Sequence, residues 1–186
     1  GSMDTMLLWS DRMGVSPDAD SVLSYLRREV PRNGLDSTAF FIKQIEEDLD
    51  VVHQLKFDSL HLDINEVLVR LDYLLTKAYV RYTVGMRHGF MRPEQTFNHL
   101  QRKKEGESFV RLFDFSTPEP CYPEALKKVG TNERLSYLKE SVPKNPTYEI
   151  LRKSFETSTD QDFRKKVAIN MELCRWQIKQ PEENDD

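Results

Sequence analysis

Glycine is scarce in this chain, with seven in 186 residues. So few permissive positions leave little room for the repeated tight turns of an all-β sandwich, and strand-like alternation of apolar and polar residues is equally rare. Cysteine is scarcer still. Cys121 and Cys174 stand alone, in neither a metal-ligand spacing nor a CxxC pair, and two isolated thiols do not fix a redox compartment. No run of eighteen apolar residues occurs, so nothing in the sequence reads as a membrane-spanning helix. A phosphate-cradling glycine loop, a GxSxG elbow and an HExxH zinc helix are all missing. Neither sign of charge dominates. The net charge is −4, which does not favour wholesale nucleic-acid binding. The basic clusters Arg102 to Lys104, Lys127 with Lys128, and Arg164 to Lys166 sit beside acids or on helical surfaces, as solvated faces do.

What is present is large apolar side chains in a charged background. Ten Phe and seven Tyr accompany 31% charged residues, enough aromatic surface to build a core rather than a disordered chain. At this length one domain is the simplest reading. The stretch from Asp63 to Pro93 organises it. Ile64, Val67, Leu68, Leu71, Leu74, Leu75, Ala78, Tyr82, Gly85, Met86 and Gly89 recur at i, i+3, i+4, i+7, the pattern of a helix with one buried face. Asp63 caps its start with Glu66 as capping-box partner, Gly89 suits a left-handed residue past its end, and Pro93 lies beyond. Such a helix is roughly 40 Å long. Gly85 and Gly89 share a side, where another element can approach the backbone closely.

The remaining pattern is also helical. After a loose start around Trp9, Ser16-Pro17 opens a helix carrying Val22, Leu23, Tyr25, Leu26 and Val30, expected to end before Pro31. Asn33-Gly34 turns the chain. Asp36 caps a second helix running from Ser37 to Leu55, with Phe40, Phe41, Ile45, Leu49, Val52 and Leu55 inward. A short link through Phe57 and Leu60 places it antiparallel to the central helix. Residues 94–100 start another helix with Phe97 and Leu100 inward. The stretch 108–115 is a short helix or an extended piece, and Thr117 to Pro120 a turn. Tyr122 to Val129 is a short helix closed by Gly130. Asn132 caps the next, which ends before Pro143. Pro146 opens a helix with Tyr148, Leu151 and Phe155 on one face. Asp160 caps the last, with Phe163, Val167, Met171 and Cys174 inward. The fold class is therefore all-α: a single domain of roughly seven to eight helices packed around a long central helix at about 63–88.

Chemistry is harder to find. His53, His61, His88 and His99 make no pair with metal-ligand spacing, and Glu46-Glu47 and Glu182-Glu183 are adjacent, so they do not face each other on a helix. Cys174 lies near Arg175, Lys165 and Lys166, but no histidine is close in sequence to act as its base. No catalytic, cofactor-binding or metal-binding residue is assigned, no cofactor is expected, and the chain is expected not to be an enzyme.

Four strings carry a resemblance: GLDSTAFFIKQIEEDL, LLTKAYVRYTVGMRHGFMRP, PTYEILRKSF and RKKVAINMELCRW. In this order they resemble the helical scaffold domain that precedes the catalytic domain in large multi-domain bacterial L,D-transpeptidases. The second is similar to an LTxAxxxY pattern followed by Gly and Pro. The third resembles PxxPxYxxLR through Pro143, Pro146, Tyr148, Leu151 and Arg152, and the fourth NMERWRW through Asn170, Met171, Glu172, Arg175 and Trp176. The likeness runs from about Val22 to Trp176. It departs at Leu173 and Cys174, which stand where the family has Arg and Trp. Only Thr157 to Asp162 separates the last two motifs, where many relatives insert a three-helix peptidoglycan-binding module.

The family forms peptidoglycan cross-links through a cysteine acyl-enzyme in the cell envelope. Its nucleophile lies in an SHGC-type motif on a β-rich domain, a motif this sequence does not contain. The resemblance therefore implies a non-catalytic scaffold that positions a catalytic domain of the same parent chain, in the periplasm or envelope. Peptidoglycan or cell-wall proteins are further partners; nucleic acid and a membrane span are not expected. Gly1-Ser2-Met3 reads as a cleavage scar, residues 1–15 as a loose N-terminus, 16–177 as the scaffold domain, and 178–186 as an acidic tail or linker toward the catalytic domain. Tyr148, Leu151, Met171 and Trp176 are expected to dock the two terminal helices on the central one, and Arg152, Glu172 and Arg175 to form charge-assisted pairs there. Two other classes stand beside this one: a stand-alone helical protein–protein adaptor, and a metal-dependent helical enzyme resting only on the four histidines.

Overall fold

The central helix forms as its periodicity predicts, over Ile64–His88. The computed structural model describes residues 7–11, 14–54, 63–92 and 119–176. In chain order these give a two-residue antiparallel ladder, β1 (Ser10–Asp11) with β2 (Gly14–Val15). Then come α1 (Pro17–Arg32), a 3-10 turn (Ser37–Phe40), α2 (Ile42–His53), α3 (Ile64–His88), α4 (Tyr122–Val129), α5 (Arg134–Glu140), α6 (Pro146–Thr157) and α7 (Gln161–Arg175). The domain is all-α. Its α3 touches α1, α2, α4, α5 and α7, while α6 packs on α7 and α1.

The antiparallel arrangement of α2 and α3 shows in their side-chain contacts. Lys77 of α3 sits over the ring of Phe41, just ahead of α2. Further along α2, Asp48 takes Arg70, earlier on α3, at 2.6 Å. The core runs along the inner stripe of α3, where Leu71, Leu75, Ala78, Tyr79, Tyr82 and Met86 are buried against Leu26, Val30, Phe40 and Ile45. Tyr82 meets Tyr25 and Phe40 edge-on, with ring centroids 6.0 and 6.3 Å apart.

Several local expectations are corrected. The N-terminal segment is not loose from Leu7 onward. Trp9 is 1% exposed; its indole N–H donates to Thr76 Oγ1 at 2.9 Å, and the backbone N–H groups of Leu8 and Trp9 donate to Asp72 Oδ1. Buried aromatic surface and a carboxylate partner outweigh the absence of any local helix signal.

Helix α1 does not stop before Pro31 but continues through it to Arg32. In the last turn the proline removes only one bond, and the Asn33 N–H to Glu29 O and Leu35 N–H to Val30 O hold the end closed. The second helix breaks in two. Asp36 does cap Thr38 N, but Phe41 adopts φ 56°, ψ 25°, a left-handed conformation uncommon for a bulky residue. It separates the 3-10 turn from α2 and turns its ring toward Lys77.

Asn132 does not cap α5: the N-cap position is Glu133, without a side-chain cap bond, and Thr131 Oγ1 holds the preceding turn by accepting from Glu133 N. In α7, Phe163 is exposed. The inner position of that first turn belongs to Arg164, whose guanidinium lies 4.1 Å from the Phe155 ring centroid. The expected segments between Leu55 and Leu60 and from Pro93 to Pro118 lie outside the described residues. No helix among the described residues is long and apolar enough to cross a membrane.

Candidate functional site

Two glycines create the opening for the terminal helix. A Cβ on Gly85 would fall inside the Phe90 ring, and one on Gly89 inside the Trp176 indole. Gly89 has φ 87° and ψ 158°, a glycine-only conformation that turns the chain sharply after α3. The close approach anticipated on this side of α3 is therefore made by Phe90 folding back and by the residue that ends α7.

Around that opening lies a buried polar cluster. Glu172 is 6% exposed and Arg175 3% exposed. Glu172 Oε1 accepts from the backbone N–H groups of Phe90 at 2.5 Å and Met91 at 2.8 Å, and from the Trp176 indole at 3.2 Å. Its Oε2 accepts from Arg175 Nη1 at 3.0 Å. Arg175 Nη2 donates to the Asn33 carbonyl at 2.6 Å and to the Tyr148 hydroxyl oxygen at 2.8 Å. The Tyr148 O–H in turn donates to Asn33 Oδ1 at 2.8 Å, and Asn33 Nδ2 donates back to Glu29 O at 2.8 Å. One guanidinium thus ties α7 to the end of α1 and the start of α6. One carboxylate ties it to the turn after α3.

Local sequence explains each placement. In α7, Arg164, Val167, Ala168, Met171 and Arg175 fall at i, i+3, i+4, i+7 and i+11, so the same stripe that buries Val167 and Met171 carries Arg175 inward. Asp160 fixes the register of α7 by accepting from Asp162 N and Phe163 N. Asn145 caps α6 through Thr147 N, and Tyr148 enters the core three residues later.

A second cluster adjoins the first. Buried Glu29 accepts from Arg28 Nε at 2.8 Å, Arg32 Nη1 at 3.1 Å and Arg152 Nη1 at 3.4 Å. Arg152 also donates to Glu149 at 2.9 Å, and Arg32 pairs with Glu156 of α6. The Arg152 guanidinium holds the Glu149 carboxyl below the usual range, as Arg32 does for Glu156. Burial pushes the Tyr148 phenol up, against the pull of the adjacent Arg175 charge.

The expected docking residues are brought together. Tyr148, Met171 and Trp176 are buried and Leu151 is half-buried. The expected charge-assisted pairs form: Arg175 with Glu172, both buried, and Arg152 with Glu29 and Glu149. Asn170 of the same motif stays outside and bonds only back to Lys166 O. Sequence reasoning missed Glu29 and Asn33 as parts of this site. Their signal was present, since Val22, Leu26, Glu29 and Asn33 fall at i, i+4, i+7 and i+11, which places a carboxylate and an amide on an apolar stripe.

The remaining candidates are scattered. His53 approaches Asp20 at 3.4 Å on the surface of α2. Half-buried His88 has its pKa lowered, chiefly by burial and further by the Arg87 charge. His61 and His99 lie outside the described residues. No His, Cys, Asp and Glu cluster able to hold a metal occurs among the described residues. Cys121 and Cys174 are free thiols, and burial pushes the Cys174 thiol up, away from the thiolate.

A family model, the Scaffold domain, matches residues 2–155. The chain belongs to that family. No curated protein and no solved structure matches it. The matched stretch of this scaffold domain takes in the Trp9 anchor and α1 and ends at Phe155 in α6. Glu172, Arg175 and Trp176 follow it on α7. The chemistry of the cluster is positional: every charge in it faces a fixed donor or acceptor, and together they set where the last turn of α7 lies.

Proposed function

We propose that this scaffold domain is the non-catalytic helical part of a cell-envelope L,D-transpeptidase, positioning a separate β-rich catalytic domain of the same polypeptide for peptidoglycan cross-linking. Membership of the scaffold family and the ordered likeness of four sequence strings support the reading. The observation that carries it is the clamp on the last turn of α7, where Arg175 and Glu172 bind α1, α6 and the turn after α3 at once. A helix held this way gives whatever follows it a fixed direction, which is what a positioning scaffold requires.

The parent reading frame tests the reading directly. An SHGC-type motif in a β-rich region of the same polypeptide is expected, and a parent without one overturns it. The isolated domain is expected to leave muropeptide tetrapeptides unchanged; turnover that disappears on Cys174→Ala would contradict the non-catalytic role. Sedimentation with insoluble peptidoglycan sacculi across a salt titration separates wall recognition, which survives moderate salt, from charge attraction, which does not.

A further inference from the structure

Beside the clamp, α3 carries a second feature, which meets the clamp's edge at Gly85, Gly89 and Phe90. An open groove of about 670 Å³ lies between Val69, Tyr73 and Val80 of α3, Leu8 of the N-terminal segment, and Tyr122 and Leu126 of α4. Val69, Tyr73, Thr76 and Val80 fall at i, i+4, i+7 and i+11, a second helical stripe beside the buried one. It is left in water: Tyr73 is 60% and Val69 57% exposed, and Leu8, Tyr122 and Leu126 are exposed as well. Large apolar side chains clustered in this way mark a contact surface rather than ordinary surface scatter.

Two cations and one carboxylate line the groove. Lys77 and Arg81, one helical turn apart, line it. Lys77 Nζ lies 4.9 Å from the Phe41 ring centroid and 5.5 Å from that of Tyr73, and Arg81 lies 5.5 Å from that of Phe40. Aromatic faces steady these cations without neutralising them. Asp72 also lines the groove, but its carboxylate is engaged by the N–H groups of Leu8 and Trp9.

We propose that this groove docks an amphipathic helix of a partner protein, with apolar side chains seated against Val69, Tyr73 and Val80 and carboxylates one turn apart facing Lys77 and Arg81. From Val69 to Val80 the stripe spans about 17 Å, three turns of a docked helix. Charge complementarity selects the occupant, because a second copy of this domain would bring the same two cations against themselves. The proposal is independent of the wall-synthesis reading.

The test uses a fluorescent sixteen-residue amphipathic peptide with Leu at 3/4 spacing and Glu at i, i+4 beside the apolar stripe. A second peptide carries Lys in place of each Glu. Anisotropy titration is expected to give micromolar binding of the Glu peptide and at least tenfold weaker binding of the Lys peptide. The double variant Lys77→Glu/Arg81→Glu is expected to reverse that preference. Equal affinity for both peptides, no binding of either, or an unreversed preference overturns the proposal. Alkylation of a Tyr73→Cys variant, read by peptide mass spectrometry, adds an independent check. Rapid labelling is expected, whereas a protected thiol in the free protein means the groove is already covered from within the chain and also overturns it.

Discussion

The inner and outer sides of α3 are built by opposite rules. On the inner side, where α7 docks, a buried ion pair is held by several partners: Glu172 takes two backbone N–H groups, an indole and a guanidinium, and Arg175 takes a carbonyl, a phenol and a carboxylate. On the outer side apolar groups are exposed, and the cations Lys77 and Arg81 rest on rings rather than on acids. Hydrogen bonds between buried charges are directional, and a small displacement leaves a desolvated group unpaired. Exposed apolar contact has no such directionality. The inner side therefore specifies one arrangement of helices, while the outer side can accept a range of shapes.

Removing one member of the buried pair should separate the two sides most sharply. Arg175→Met leaves Glu172 buried without its cation and should cost about 3–5 kcal/mol in urea denaturation. Adding Glu172→Leu should recover a large part of that loss. An Arg175→Met cost below about 1 kcal/mol would mean that the cluster does not hold α7. Gly89→Ala forces a side chain into the Trp176 ring at positive φ, and should cost about 2–3 kcal/mol with a red shift of tryptophan emission. Tyr148→Phe removes the hydroxyl shared by Asn33 and Arg175, at about 1–2 kcal/mol by the same assay.

Alkaline titration probes the inner side without mutating it. Burial raises the pKa of Tyr25, Tyr79, Tyr82 and Tyr148. Above the ordinary tyrosine value of about 10 the unfolded chain loses phenolic protons that the native state keeps, so stability is full below that pH and falls above it. In a Tyr73→Phe/Tyr122→Phe variant, which lacks the two exposed phenols, circular dichroism and phenolate absorbance should change together; phenolate appearing well before the helical signal falls would show that the buried rings are accessible. The smallest effect belongs to the outer side. Lys77→Ala with Arg81→Ala should change stability by no more than about 0.5 kcal/mol.

The architecture was legible wherever local chemistry decided it. The stripe of α3, its Asp63 cap and the caps at Ser16, Asn145 and Asp160 come from residues within a turn of one another. What was not legible depends on residues far apart. Nothing near Trp9 marks it as an anchor, because its partners Asp72 and Thr76 lie more than sixty residues away. No local turn signal marks the left-handed Phe41, whose ring lies beside Lys77. At the clamp, the docking of Tyr148 and Trp176 and the pairing of Glu172 and Arg175 could be named from the sequence, but the burial of that charged pair could not. Periodicity assigns a residue to a face of its own helix and says nothing of what arrives there from another.

The bond between Arg175 and the Asn33 carbonyl spans 142 positions of sequence. During synthesis at roughly 5–20 residues per second, the end of α1 waits about 7–30 s for the guanidinium that completes it. The helices up to α6 can assemble in that interval, but the turn after Gly89 lacks its carboxylate and its indole cover until α7 emerges. The domain thus matures last at its own exit, and a chain released before residue 175 would present that uncovered turn to the quality-control machinery.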